Sequence, residues 1–366
     1  MTRVQDADSS HTGAHMPGAH MPGAHMPARA ELARDFLVAP LASDADVSGG
    51  HTTVIRVGDD ASPTTPVPCV VAIGAFDGVH RGHLGLLSRA RRDAAERGVA
   101  TIAVTFDPDP DEVVGKRPAL KLLSIADRIK TLRASGAGVV VVPFTRELAA
   151  LDHVAFFEQV LAPYVDIRAI HVGVDFRLGA RGASTVDVIR AWGANRGVEV
   201  TGHELLIDGD APITATRIRR LIAAGDVVAA AGELGRRFCV HGVVAPGRGE
   251  GTGMGFPTAN IEVQADIQMP ADGVYAGFAR VGGEVWPAAI NAGVPPMFAD
   301  SVASARLEAN LIGYHGDLYG REVSIAFDRM MRPSRSFESI DALIRAVEGD
   351  IAQIAADYGT TPVRIA

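Results

Sequence analysis

Gly74-Ala75-Phe76-Asp77-Gly78-Val79-His80-Arg81-Gly82-His83 decides how this chain is read. The apolar run Val70 to Gly74 reads as a β-strand, and His83 to Arg97 reads as a helix stopped at Gly98. A glycine-rich turn therefore delivers two histidines, His80 and His83, to the start of a helix. At the carboxyl end of a strand in an open α/β sheet, backbone N–H groups and the helix dipole favour an anion. Gly82 lets a phosphate approach the backbone, and the two imidazoles supply donors for its oxygens. Gly74, Phe76 and Asp77, in the same turn, join them as candidate ligand-binding residues. The sequence has no Walker A motif, so a P-loop mechanism finds no support.

Outward from this turn the alternation continues. Val99 to Phe106, Val139 to Pro143, Ala169 to Gly173 and Val198 to Leu206 read as strands. Between them Ile125 to Ser135, Val154 to Leu161 and Val186 to Asn195 read as helices, the first stopped by Gly136. Strands alternating with helices imply a parallel sheet covered on both faces. A helix at Thr216 to Ala224, capped by Gly225, and a second running to about Leu234 close this half. The pattern then changes to strands separated by Gly and Pro turns: Phe238 to Val244, Gly273 to Val281, Val285 to Asn291, Arg306 to Leu311 and Glu322 to Phe327. That half is all-β, a small barrel. A terminal amphipathic helix from Ser339 to Ala356 would pack on it through Ile340, Leu343, Ile344, Val347 and Ile351.

A chain of 366 residues accommodates two domains, each able to bury a core. No apolar run approaches the roughly eighteen residues a membrane span needs, so no membrane partner is expected. With 35 Lys and Arg against 43 Asp and Glu, the net charge of −8 has the wrong sign for a general nucleic-acid surface. The only two cysteines, Cys69 and Cys239, lie far apart beside strand-like runs, as core residues of a protein in a reducing cytoplasm. Residues 1–66 form a low-complexity tail, expected to be disordered, in which Gly-Ala-His-Met-Pro repeats from about Gly13 to Pro27. The histidines of that repeat offer at most weak metal chelation, because a unit containing Gly and Pro cannot pre-form a site.

Two further segments of the first half carry site chemistry. Ile213-Thr214-Ala215-Thr216-Arg217-Ile218-Arg219 opens a helix with hydroxyls at the N-cap region and arginines in the first turn. Arginine there opposes the helix dipole unless an anionic ligand compensates it. Between the two helix starts, Val172-Gly173-Val174-Asp175-Phe176-Arg177-Leu178-Gly179 is another strand end and tight turn, and Asp175 is placed to accept from a hydroxyl or hold an arginine.

In this order the three segments resemble the adenylyltransferase half of bacterial bifunctional riboflavin kinase/FAD synthetases, with its H-x-G-H motif of the nucleotidyltransferase superfamily, over roughly Cys69 to Leu234. The resemblance implies an α/β nucleotidyltransferase domain with a Rossmann-like parallel sheet. It implies that His80 and His83 contact ATP phosphates and that Thr216 and Arg217, with Arg219 nearby, hold the departing pyrophosphate. One departure is Asp109, in Phe106-Asp107-Pro108-Asp109-Pro110, where the family commonly has His.

The second half opens with Gly247-Arg248-Gly249-Glu250-Gly251-Thr252-Gly253-Met254-Gly255-Phe256-Pro257-Thr258-Ala259-Asn260. No helix follows and Pro257 interrupts, so a dinucleotide fingerprint fails and a flexible phosphate loop fits. The Gly-Phe-Pro-Thr-Ala-Asn string resembles the riboflavin kinase signature. By that likeness Arg248, Gly255 and Pro257 border the ATP phosphates, Thr258 and Asn260 place Mg2+ with ATP, Glu308 is the general base and Arg332 lines the site. Glu250, Thr252, Val294 and Met297 depart from the family's basic and hydroxyl residues.

The expected organisation is a tail over 1–66, an FMN adenylyltransferase domain over 67–234 and an all-β riboflavin-kinase-like barrel with a C-terminal helix over 235–366. The expected ligands are riboflavin, FMN, FAD and ATP, with Mg2+. Three readings stay open: a bifunctional transferase; a divergent relative with one active half or an altered flavin; and a flavin-binding protein without turnover.

Overall fold

The computed structural model describes residues 25–38, 53–59, 65–246, 256–293 and 307–365. Its first layer is a six-stranded parallel sheet built from β1 (Val54–Arg56), β2 (Val67–Ile73), β3 (Ala100–Phe106), β4 (Gly138–Val142), β5 (Val165–Gly173) and β6 (Glu199–His203), in the order β1-β4-β3-β2-β5-β6. The Val139 to Val142 run is buried throughout, as a strand covered on both faces must be. On one face, α2 (Arg81–Arg97) and α3 (Ile125–Ala134) pack Leu86, Leu87, Ala90 and Leu132 against Val70, Ala72 and Val139. On the other, Phe156, Phe157 and α4 (Val186–Ala194), with Ile189 and Trp192, cover Val71, Val104 and Val172.

Two short helices, α5 (Ala215–Ala223) and α6 (Val227–Leu234), lead from this sheet into the barrel. Its strands are β7 (Phe238–Ala245), β8 (Ala259–Val263), β9 (Gly273–Val281), β10 (Glu284–Ala292), β11 (Leu307–Leu311) and β12 (Glu322–Pro333). Antiparallel pairing in the order β9-β12-β7-β8-β11-β10 closes through β9 and β10, leaving no free edge among these six strands. Short β13 (Val363–Arg364) adds to β10 outside the ring. Ile218, Ile222, Val227 and Leu234 share one core with Phe238, Tyr275, Ile290 and Phe327, so the connecting helices plug the barrel rather than hang from it. The C-terminal helix α7 (Ile340–Tyr358) packs on the outer wall through Ile351, Ile354 and Ala355, with Ile354 its one buried residue. Ile340, expected on the packed face, is 59% exposed because the contact lies at the other end of the helix.

The expectation of a wholly disordered tail needs correction. Helix α1 (Arg29–Asp35) lies on the barrel, with Leu32, Ala33 and Phe36 buried against Cys239, Phe278 and Ala326. Asp35 is buried in an ion pair with Arg237, which also binds Glu31 and Asp328. Further on, β1 pairs with β4 as the edge strand of the sheet. Burial of Leu32, Phe36 and Ile55, with Met26 partly buried beside the first two, supplies the apolar free energy that orders these segments. Of that repeat's histidines, His25 alone lies among the described residues, its backbone N–H donating to the carbonyl of Asp357. Cys69 and Cys239 are both buried free thiols.

Candidate active sites

The turn between β2 and α2 is strained. Phe76 (φ 56°), Gly78 (φ 76°) and Val79 (φ 39°) all lie in the left-handed region, and for a β-branched residue such as Val79 that is a rare conformation. Asp77 holds the turn from one side. Its carboxylate accepts from the N–H groups of Leu122 and Leu123 and from Arg219 at 2.6 Å. Asp77 and Arg219, both expected at the ligand, are thus paired to each other, and Arg219 also donates to the carbonyl of Leu120.

His80 is the N-cap of α2. Its Nδ1 accepts from the N–H of His83 at 3.4 Å, which places its own proton on Nε2. The two imidazoles stack with centroids 3.7 Å apart, and the edge of Phe76 closes on His83 at 5.2 Å. Burial, aided by Arg236, lowers the His80 pKa to about 4. Burial also drives His83 well below its ordinary value, with His80 and Arg128 adding to the effect. Both rings are therefore neutral near pH 7, and the buried Nδ1 of His83 has no hydrogen-bond partner among the described residues. Gly82 has a local purpose as well as a ligand-facing one: a Cβ there would lie 3.1 Å from the His80 ring.

A second helix start converges on this one. The carbonyl of Ile213 lies beside Gly82, and Thr214 caps α5 by accepting from the N–H of Arg217. The cap is Thr214, two residues before the expected ligand hydroxyl; Thr216 sits inside the helix, exposed. Arg217 is paired at 2.6 Å with the buried carboxylate of Glu233 and donates to the carbonyls of Asp208 and Ala211. Burial raises the pKa of Glu233 while Arg217 pulls it down. Gly74 lies at the mouth of the same turn, whereas Asp175 is exposed at the end of β5, beside Gly173.

Asp109, the departure in the first half, faces inward. It forms two hydrogen bonds, at 2.6 and 2.7 Å, with Arg128, which is 1% exposed and among the largest fully buried side chains. Its negative charge is matched by a guanidinium on α3. Neither Arg128 nor Glu233 carries a motif that would have marked it in the sequence.

On the barrel, β8, β11 and β10 bring three polar side chains into one row: Asn260 pairs in register with Glu308, and Glu308 with Asn291. Leu307, Ala309 and Leu311 point into the core, so Glu308 and Asn310 point outward by strand alternation. Asn310 ties the row to the signature segment by donating to the carbonyl of Pro257 at 2.8 Å. Thr258 is half-buried two residues before Asn260. Arg332, at the far end of β12, pairs with Asp350 of α7 at 2.8 Å and lies over the Phe337 ring. Arg248, Gly255, Glu250, Thr252, Val294 and Met297 lie outside the described residues. Asn291 was not among the expected site residues; its register opposite Glu308 places it in the row.

Residues 62–217 match the FAD synthetase family and residues 234–357 the riboflavin kinase family. A bifunctional riboflavin kinase/FMN adenylyltransferase of Pseudomonas fluorescens is 33% identical over 78% of this chain and 91% of its own length. The chain belongs to the bifunctional riboflavin kinase/FMN adenylyltransferase family. The enzyme of the same name from Escherichia coli K12 is 30% identical over 80% of this chain and 94% of its own. A solved Streptococcus pneumoniae chain, described as a macrolide-efflux protein, superposes on 83% of this chain with TM-score 0.73 and 26% identity, covering 98% of that chain. Among the described residues no helix is long and apolar enough to cross a membrane.

Proposed function

We propose that this member of the family makes FAD in two ATP-dependent steps, one per domain. The observation that carries the reading is the pair of neutral, stacked imidazoles at the start of α2, joined by the row of Asn260, Glu308 and Asn291 on a closed barrel. In the adenylyltransferase step a phosphate oxygen of FMN attacks the α-phosphorus of ATP, and pyrophosphate leaves. That chemistry needs positioning and charge stabilisation more than a base. The Nε2–H of His80 and the ring of His83 donate to phosphate oxygens without the cost of burying two cations, while the N-termini of α2 and α5 add their dipoles. Arg217 turns from Glu233 toward the leaving pyrophosphate, and Asp77 with Arg219 keeps the turn in shape.

In the kinase step Glu308 takes the proton of the terminal ribityl hydroxyl as its oxygen attacks the γ-phosphorus of ATP. Thr258 and Asn260 offer the hard oxygen donors that suit Mg2+. Bound there, Mg2+ neutralises charge on the phosphates. Two buried free thiols fit a reducing compartment such as the cytoplasm. Purified variants test the division of labour. His80→Ala with His83→Ala should abolish FAD formation from FMN and spare FMN formation from riboflavin, and Glu308→Gln should do the reverse. FAD formation that survives the histidine changes, or a kinase rate that survives Glu308→Gln, sinks the respective assignment.

A further inference from the structure

The linker residue Arg236 separates α6 from β7 and is 7% exposed. Its neighbour Arg237 is surrounded by carboxylates, but Arg236 forms no ion pair among the described residues. Its guanidinium reaches into the other domain and donates to the carbonyls of Gly78 at 2.8 Å and Val79 at 3.3 Å. Burial lowers its pKa to about 10, so it is still charged at neutral pH.

Those two carbonyls lie in the left-handed stretch of the turn, and the Val79 carbonyl belongs to the peptide that joins His80. A strained turn persists only where its surroundings over-determine it. Here Asp77 fastens one side to residues 122–123 and Arg219, and Arg236 fastens the other. We infer that Arg236 is a positioning residue for adenylyl transfer, fixing across the domain junction the peptide that aims His80 at the ATP phosphates. This rests on the adenylyltransferase reading above. Only a guanidinium presents two N–H donors in one plane to successive carbonyls, so lysine does not replace it. Its charge also helps keep the His80 ring neutral.

The test uses the full-length protein and the variants Arg236→Lys and Arg236→Ala. FAD formation from FMN and FMN formation from riboflavin are measured on the same preparations. Displacing a catalytic group by about 1 Å commonly costs about 10²-fold in rate, so kcat for FAD formation should fall by that order in both variants, with KM for ATP changed far less. Millimolar guanidinium should restore part of the Arg236→Ala rate where sodium chloride at equal ionic strength does not. The kinase rate should remain within about twofold of the unaltered protein, which also reports folding. FAD formation within about threefold of the unaltered protein in both variants overturns the inference. So does a parallel loss of both activities, which would mark Arg236 as structural only. An unaltered protein that makes no FAD from FMN would overturn the adenylyltransferase reading and the inference with it.

Discussion

Replacing Asp109 by Asn keeps the shape of the side chain and removes the one carboxylate that pairs with Arg128 among the described residues. The guanidinium keeps the carbonyl of Phe106 at 3.2 Å and the hydroxyl of Thr105 at 3.4 Å, neither of which carries charge. Burial opposes charge on Arg128, and the bonds from Asp109 more than offset it, holding its pKa above the ordinary value. Breaking a buried pair by removing one partner costs about 3–5 kcal/mol. The two surviving contacts place this case near the lower end, about 3 kcal/mol, which for a domain of this size lowers the melting temperature by on the order of 10 °C. Thermal unfolding followed by circular dichroism, with both flavin activities assayed at 25 °C, measures the effect. Asp109→Leu combined with Arg128→Met removes both charges and should recover most of the lost stability. An Asp109→Asn protein that melts within about 2 °C of the parent and makes FAD faster would refute the reasoning, since it would mean that Asp109 repels the phosphates instead of holding Arg128.

Gly82→Ala pushes a methyl group against the His80 ring, so FAD formation should fall by about 10- to 100-fold while FMN formation holds; equal rates for parent and variant would free Gly82 of that role. The unfolded chain binds a proton on His80 near its ordinary value of 6.5, and the folded chain does so only near 4. Its contribution to stability is therefore complete above about pH 6.5 and falls by about 3 kcal/mol as the pH drops through that interval. Denaturant unfolding at several pH values should show the decline, and His80→Gln should lessen its slope, leaving the part carried by the likewise depressed His83; an unchanged slope would place the titration elsewhere. Phe36→Asp should lift α1 from the barrel, so that a maleimide labels Cys239 in the native protein while Cys69, in the central sheet, stays protected. A Cys239 that remains unlabelled would show that α1 does not cover it.

The parts of the fold that were legible in the sequence are those whose signals are local. Helix α2 ends where it was expected to because Gly98 adopts the left-handed cap, φ 67°. The end of β4 follows from its unbroken run of four valines, and that of β3 from an apolar, β-branched-rich stretch closed by Asp107 and Pro108. The strand Ala259–Val263 was not anticipated, because the preceding glycines and Pro257 read as loop and the five-residue strand has little alternation to show. Helix α1 was hidden by the repeat beside it, although Leu32 and Phe36 at i, i+4 were the signal that it has an apolar face to bury. At the site, the histidine pair was legible because one turn carries both residues. Arg128, Glu233 and Arg236 were not, because each acquires its role from a partner that the chain fold brings to it. For Arg236 the two acceptors lie 157 and 158 residues away.

The most direct measurement follows the phosphorus of ATP. The purified protein is incubated with Mg2+ and either riboflavin with γ-labelled ATP or FMN with α-labelled ATP, and the flavins are separated by chromatography. Two active domains put the γ label into FMN in the first reaction, and the α label into FAD with release of unlabelled pyrophosphate in the second. The α label in FAD with no γ label in any flavin, FMN or the FAD made from it, would leave only the adenylyltransferase domain active, and no label in either flavin would contradict both assignments.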